Sequence, residues 1–336
     1  MENLTVMISL VTIVVIGFVA GKVGYMNEEF DKKLSALIVN ITCPALILSS
    51  TMGDTLPDRD MIVPLLVISF ITYTLLTLLS FTLPPLLTRR KEDEGVTGFA
   101  LMFGNVGFIG YPIVASIFGY EAVFYAAILN VANTFFVFTV GDMLIRNGNE
   151  TSVISTNVER SLDCARNDKW GARNDISKIV SLKRRFEKKV LYSTPMLAAY
   201  LSMLIVALGI TGIPEEVSKP LTMIGGITVP GALLIIGSTM AQLSGRAMLG
   251  NMTVYATSVC RLVLIPFVFY WLFTWMGFSE YVVNINTVII AMPVATYGTI
   301  LCLINNRDTT LMTELTFTTT VLSMLTIPLL SAVLGG

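Results

Sequence analysis

The residues best suited to bind a ligand lie in one interrupted apolar stretch, residues 95–119. The stretch is long enough to cross a bilayer, which takes about 20 apolar residues. Glycine costs about 1 kcal/mol and proline about 3 kcal/mol in a helix interior, so a break is expected. Broken backbone at membrane depth is tolerated only inside protein or beside water, which predicts a binding site. The residues concerned are Gly104, Asn105, Gly107, Gly110, Tyr111 and Pro112.

A second interrupted stretch covers residues 284–305, with Pro293 near its middle and Thr296 and Tyr297 just after it. Two interrupted spans in corresponding halves of a chain are typical of the binding site of a carrier. Because proline suits the first turn of a helix, we expect Pro112 and Pro293 each to start a half-helix. Two such N-termini would offer free N–H groups and partial positive charge to an anion.

Several side chains near the first break are candidate substrate ligands. Asn105 can donate to a carboxylate or tie the broken backbone together, and both interpretations stay open. Gly107 and Tyr111 flank it as further candidates. Asn130 and Asn133 are three residues apart and share a helix face. They could line the pocket, or they could join helices by hydrogen bonds.

Three charged residues within or near apolar stretches are further candidates. Arg261 is deeply placed, and its guanidinium could bind a substrate carboxylate as a fork or form a structural pair with an acid or with helix carbonyls. Asp142 precedes Arg146 by four residues, the spacing of a helix ion pair. Glu314 lies near a predicted helix start, where an acid complements the dipole. The alternative for both acids is proton coupling.

The composition indicates a polytopic membrane protein. Of 336 residues, 54% are hydrophobic and 13% charged, against about 25% charged in soluble domains. Histidine is absent, and the four cysteines are far apart, so no metal site or cofactor is expected. No acid pair at one depth and no GxxxxGK[ST] motif is present, which argues against an enzyme. Nothing in the sequence indicates a nucleic-acid partner.

Apolar runs predict an all-α protein with ten membrane spans. They lie at residues 4–24, 34–53, 61–88, 96–118, 120–146, 192–213, 219–243, 249–277, 284–305 and 309–335.

Basic residues predict the orientation of these spans in the plasma membrane. Outside the polar insert 147–191, nine lysines and arginines lie on one side and only Arg59 and Lys219 on the other. The insert is therefore expected in the cytoplasm and both termini outside. Residues 175–192 space apolar residues at helical intervals among basic ones. They form either an amphipathic helix on anionic membrane lipid or an ordinary solvated charge run.

Short motifs suggest an internal repeat. The motif Ile-Thr-x-Pro occurs at Thr42 and again at Thr228, 186 positions later, and the two interrupted spans match at a similar offset. The predicted units are residues 1–146 and 192–336, separated by the loop 147–191. Because each unit has five spans, an odd number, the units must lie in opposite orientations, as an inverted 5+5 repeat.

Most of the chain resembles the auxin efflux carrier family, in its bacterial malate-permease-like branch. The resemblance is carried by LSALIVNITCPALILSS, GNVGFIGYPI, TPMLAAYLSMLIVALGI, RLVLIP, AMPVATYG and TELTFTTTVLSMLTIPLL. It implies the fold of the bile-acid sodium symporters, in which a scaffold domain holds a transport domain with two crossing broken helices. It also implies an elevator-type carrier of small organic anions such as malate, acting as a homodimer.

The resemblance also bears on single residues. The asparagine that contacts substrate in plant members matches Asn105, whereas Thr296 and Tyr297 stand near the second break without an asparagine. Neither interrupted span holds an acid in its core, which weakens the case for a sodium site like that of the symporters. Proton or sodium coupling stays open. The alternative to a carrier is a receptor that uses the same pocket, although the insert is short for a signalling domain.

Overall fold

The computed structural model describes residues 2–52, 57–147, 193–210, 213–242, 251–305 and 307–334, and these residues form an all-helical protein. In chain order the helices are α1 (Glu2–Val23), α2 (Glu28–Ser49), α3 (Arg59–Thr82), α4 (Lys91–Met102), α5 (Val106–Phe118), α6 (Ala122–Arg146), α7 (Thr194–Ala207), α8 (Glu215–Gln242), α9 (Met252–Trp275), α10 (Glu280–Ile290), α11 (Tyr297–Ile304) and α12 (Thr310–Leu334).

Every predicted span coincides with a helix, and the two interrupted spans each coincide with a pair of half-helices, α4 with α5 and α10 with α11. Within the described residues, six helices are long and apolar enough to cross a membrane, namely α2, α3, α6, α8, α9 and α12. The prediction of an all-α polytopic membrane protein is confirmed at this level. The candidate amphipathic helix at 175–192 lies outside the described residues.

Prolines account for three of the π turns in the described helices. A proline lacks the N–H that would bond to the carbonyl four residues earlier, and its ring clashes with that carbonyl. In three helices the carbonyl concerned lies within a π turn, which ends two residues before the proline. These are Ile38–Thr42 before Pro44, Val106–Gly110 before Pro112 and Cys260–Leu264 before Pro266.

The helices α1, α2, α7 and α8 pack together, and we call them the panel. Helices α1 and α8 approach so closely that a Cβ on Gly17 would overlap the backbone of Leu234. A Cβ on Gly237 would likewise overlap the backbone of α1. Small residues at helix interfaces are what allow such contact between apolar helices in a membrane.

The remaining helices, α3 to α6 and α9 to α12, pack around the two broken helices, and we call them the crossing bundle. Its interior contains a ring cluster in which Phe103 stacks on Tyr73, with ring centroids 6.4 Å apart, and contacts Phe99 at 4.9 Å. All three rings are buried. Because Phe103 directly follows α4, the cluster packs against the break between α4 and α5.

Candidate functional site

The two broken helices meet through their backbones. Gly104 and Val294 form an antiparallel β-bridge between the break of one helix pair and that of the other. The Asn105 N–H donates to the Pro293 carbonyl at 2.7 Å, and a reciprocal hydrogen bond of 3.0 Å lies on the other side of the bridge. Backbone groups freed by the breaks therefore satisfy one another, as is required away from water.

The first break ends in a tight turn at Asn105. Its φ of −80° and ψ of 64°, with the Val106 N–H bonded to the Gly104 carbonyl at 2.9 Å, define an inverse γ-turn. Helix α5 begins directly after this turn. The half-helix therefore starts earlier than predicted, with the π turn Val106–Gly110, while Pro112 lies in the first turn of its α-helical part, Tyr111–Phe118, as predicted.

At the second break the prediction is wrong. Pro293 does not start α11, which begins four residues later at Tyr297. Instead, Pro293 is part of the extended segment, where its carbonyl accepts the hydrogen bond from Asn105. The neighbouring Val294 N–H donates to the Thr319 hydroxyl at 3.0 Å, so a side chain of α12 supports this segment. Proline suits an extended segment because it has no N–H to satisfy.

A cavity of about 360 Å³ lies beside the crossing, between the panel and the crossing bundle. The N-terminal ends of α5 and α11 border it, and α2 and α8 of the panel complete its wall. All of the described side chains that line it are uncharged. They are Ser35, Asn105, Phe108, Ile109, Ile235, Ile236, Thr239, Met240, Thr296, Thr299, Thr313, Thr316, Phe317, Thr320 and Val321.

Two of the predicted substrate ligands, Asn105 and Thr296, line this cavity. Asn105 is the N-cap residue of α5, yet its side chain makes no capping hydrogen bond to the helix. An N-cap asparagine normally accepts a hydrogen bond from the first turn. Here Asn105 lines the cavity without forming a cap, and the first N–H groups of α5 lack partners within the helix.

The wall contributed by α12 was not singled out from the sequence. Thr313, Thr316 and Thr320 lie on one face of that helix and line the cavity. The Thr320 hydroxyl donates to the Thr316 carbonyl at 2.6 Å, so it is satisfied within its own helix. The Thr316 hydroxyl is buried without a hydrogen-bond partner, so its hydrogen-bonding capacity is unused. Their spacing of three and four residues was the available signal.

Asn130, Asn133 and Tyr111 form a buried chain of hydrogen bonds outside the cavity lining. The Asn130 amide donates to the Tyr111 hydroxyl at 2.9 Å, and the Asn133 amide donates to the Asn130 side-chain oxygen at 2.8 Å. This chain joins α6 to α5, which favours the helix-joining interpretation of the two asparagines. The Tyr297 hydroxyl lies beside the Asn133 amide without a hydrogen bond of good geometry.

Arg261 is almost fully buried, with 1% of its surface exposed. Its Nη1 donates to the Leu101 carbonyl at 2.7 Å and its Nε donates to the Met292 carbonyl at 3.2 Å. It is not among the described residues that line the cavity. The contacts are those of the structural interpretation, in which helix carbonyls accept from the guanidinium.

The two candidate coupling acids lie in different settings. Asp142 forms the expected ion pair, with the Arg146 Nε 3.0 Å from its Oδ2, and also accepts from the Asn305 amide at 3.3 Å. Glu314 is half-buried in the second turn of α12. Neither residue is among the described residues of the cavity wall.

A buried carboxylate in the panel was missed by sequence reasoning. Asp31 of α2 accepts hydrogen bonds from Ser238 at 2.7 Å and from Gln242 at 2.8 Å, both on α8. Asp31 lies among charged neighbours in the sequence, so it reads as a surface residue. Only the packing of α2 on α8 shows that it fastens the two helices together.

Similarity to known proteins agrees with this architecture. Residues 3–331 match the family described as membrane transport protein. An uncharacterized transporter of Methanothermobacter thermautotrophicus is 25% identical, with 99% of both chains covered. An uncharacterized transporter of Methanocaldococcus jannaschii is 24% identical, with 98% of both chains covered. Because the match spans nearly the whole chain and includes both broken helices, the chain belongs to the membrane transport protein family, the auxin efflux carriers and their relatives.

Proposed function

We propose that this protein is a secondary carrier that moves a small organic anion, a carboxylate, across the plasma membrane. The observation that carries the proposal is the cavity bordered by the N-terminal ends of both α5 and α11. Helix N-termini attract anions through free N–H groups and a partial charge of roughly +0.5 each. No acidic side chain lines the cavity in the described part of the chain, so nothing there repels a carboxylate.

The residues of the cavity wall indicate the polarity of the part of the substrate that lies beyond its carboxylate. The hydroxyls of Thr239 and Thr320 donate to carbonyls of their own helices, at 2.8 and 2.6 Å, so they are already satisfied. Phe108, Ile236 and Phe317 add apolar surface. A dicarboxylate such as malate would need a second polar site for its second carboxylate. The lining therefore favours a ligand with one carboxylate and an apolar body. Malate, which has two carboxylates, serves as the ligand for comparison in binding experiments.

An elevator-type mechanism fits the location of the cavity between the panel and the crossing bundle. Panel residues Ser35, Ile235 and Thr239 form one side, while the ligand-binding ends of α5 and α11 belong to the other. If the crossing bundle slides along the panel, the ligand travels with the half-helices that bind it. The ligand would then face one set of panel residues in the outward-open state and a different set in the inward-open state.

Binding and uptake experiments test the carrier proposal. Purified protein should bind a monocarboxylate such as benzoate more tightly than malate. Liposomes containing the protein should exchange the bound anion faster than protein-free liposomes, which control for passive diffusion of the acid. Saturable binding without any exchange would replace the carrier with the receptor alternative. Tighter binding of malate would contradict the assignment of a single carboxylate.

A matched pair of variants tests the location of the site. Thr316→Val removes a hydroxyl that has no hydrogen-bond partner in the protein, whereas Thr320→Val removes one that is already satisfied by its own helix. We expect Thr316→Val to weaken binding severalfold and Thr320→Val to change it little. Equal effects, or no effect of either change, would place the ligand elsewhere.

A further inference from the structure

The carboxyl ends of the first half-helices, α4 and α10, converge on Arg261. The Leu101 carbonyl belongs to the last turn of α4, and the Met292 carbonyl follows the end of α10. The guanidinium donates to both. Gly104 is what makes room for it, because a Cβ at that position would overlap the Arg261 Nη2.

The charge of Arg261 is balanced by these helix ends. The structure shows no ion pair between Arg261 and any described acidic residue. Each helix carboxyl end carries a partial charge of roughly −0.5, so two ends together balance about one positive charge. A fully buried cation needs such compensation, since an unpaired one is expelled or neutralised.

The local structure of α9 directs Arg261 to this place. Arg261 lies in the π turn Cys260–Leu264, which precedes Pro266. π turns inside α-helices occur often at functional sites because they displace side chains from regular helical spacing. Arg261 is buried, while the nearby Val263 and Leu264 are exposed on the outer surface.

We propose that Arg261 is a resident cation that occupies the position in which half-helix carboxyl ends of broken-helix carriers coordinate a coupling Na⁺. The inference rests on the proposed carrier function. It follows that the crossing does not bind Na⁺ and that substrate movement does not require a Na⁺ gradient. The positive charge at the crossing is covalently attached and therefore travels with the crossing bundle.

Replacement of the arginine should open a site for a soluble cation. Thermal unfolding of the purified protein is measured in NaCl, KCl and choline chloride at equal ionic strength, without substrate. Wild type should give the same midpoint in all three salts. Arg261→Ala should unfold at a lower temperature, and guanidinium at low-millimolar concentration should raise its midpoint by several degrees, because a bound ligand stabilises the folded state.

Arg146→Ala is the matched control, since Arg146 is partly exposed and pairs with Asp142. Guanidinium should not raise its midpoint.

A folded Arg261→Ala protein that guanidinium fails to stabilise would overturn the proposal, as would specific stabilisation of wild type by Na⁺. If Arg261→Ala does not fold, Arg261→Lys takes its place. A lysine cannot span both carbonyls, so this variant should lose part of the stability but stay insensitive to Na⁺.

Uptake distinguishes this proposal from the carrier proposal. Anion uptake into liposomes is compared with and without an inward Na⁺ gradient, and equal rates are expected. A faster rate with the gradient would overturn the resident-cation assignment while leaving the carrier intact. Absence of uptake under all conditions would defeat the carrier, whereas the unfolding measurements would still decide the role of Arg261.

Discussion

Thr228 donates a hydrogen bond to the hydroxyl of Thr42 over 2.9 Å, and both side chains are buried. The two threonines hold the same place in the repeated Ile-Thr-x-Pro motif. When corresponding residues of two repeats touch one another, a two-fold axis relating the repeats passes between them. The bridge between Gly104 and Val294 likewise joins the two interrupted spans. Both contacts favour the inverted-repeat prediction.

The threonine pair should contribute to stability asymmetrically. Thr42 also donates to the Ile38 carbonyl at 3.4 Å, so Thr228→Val leaves Thr42 with a partner. Thr42→Val instead leaves the buried Thr228 hydroxyl without its acceptor, at a cost of about 1–3 kcal/mol. We expect Thr42→Val to be the more destabilising, and the double variant to cost less than the sum, in denaturation of detergent-solubilised protein. If the free-energy costs of the two single variants add up to that of the double variant, Thr42 and Thr228 are not energetically coupled and the prediction is wrong.

Two glycines of the first break should respond differently to alanine. A Cβ on Gly104 would overlap the Arg261 guanidinium and lie 3.1 Å from the Met292 Cβ, whereas a Cβ on Gly107 would meet nothing within 4 Å. Gly104→Ala should therefore cost about 1–3 kcal/mol, the usual penalty of overpacking. Gly107→Ala serves as the control and should unfold near the wild-type midpoint. Equal unfolding midpoints for the two variants would show that the two broken helices can move apart to accommodate the added methyl group, which would contradict this prediction.

The positions of the broken helices could be predicted from sequence, but the starts of their second halves could not. Proline and glycine costs are local properties, so the pattern around Pro112 and Pro293 revealed both breaks. The start of α5 depends on the bridge to Val294, and the extended segment at Pro293 depends on its hydrogen bonds to Asn105 and Thr319. These are tertiary contacts, which a single stretch of sequence does not encode.

The same distinction applies to the polar residues of the site. The sequence showed that Arg261 is deep in the membrane, yet its partners are backbone carbonyls, which every residue possesses. The threonines of α12 were overlooked because a hydroxyl in an apolar helix usually bonds to the preceding turn. Only packing shows that Thr316 lacks such a partner.

Removal of the Tyr111 hydroxyl should affect stability without affecting ligand binding. Tyr111→Phe leaves the buried Asn130 amide without its acceptor, which should cost about 1–3 kcal/mol. Tyr297→Phe is the matched control, since the Tyr297 hydroxyl has no hydrogen bond of good geometry to lose. Midpoints of unfolding and ligand affinities are measured for both. Weaker binding by a stable Tyr111→Phe protein would mean that the asparagine chain belongs to the pocket.

The insert is predicted to face the cytoplasm, and Cys164 reports on it, although that residue lies outside the described structure. In a variant whose other three cysteines are replaced, a membrane-impermeant maleimide should label Cys164 only after the cells are permeabilised. Ser279→Cys, at an exposed position between α9 and α10, should be labelled in intact cells. Labelling of Cys164 from outside would reverse the predicted topology.

Substitutions of Asn105 can determine whether the ligand is negatively charged. Asn105→Ala removes an amide that borders the cavity and should weaken binding by about 1–3 kcal/mol, the usual cost of an unpaired partner. Asn105→Asp keeps the size of the side chain but adds a negative charge beside the N-terminus of α5. For an anionic ligand, repulsion should make Asn105→Asp bind more weakly than Asn105→Ala at neutral pH. Isothermal titration of folded variants measures the order. If Asn105→Asp binds as well as wild type, the ligand is neutral or cationic, and the anion site at the crossing is wrong.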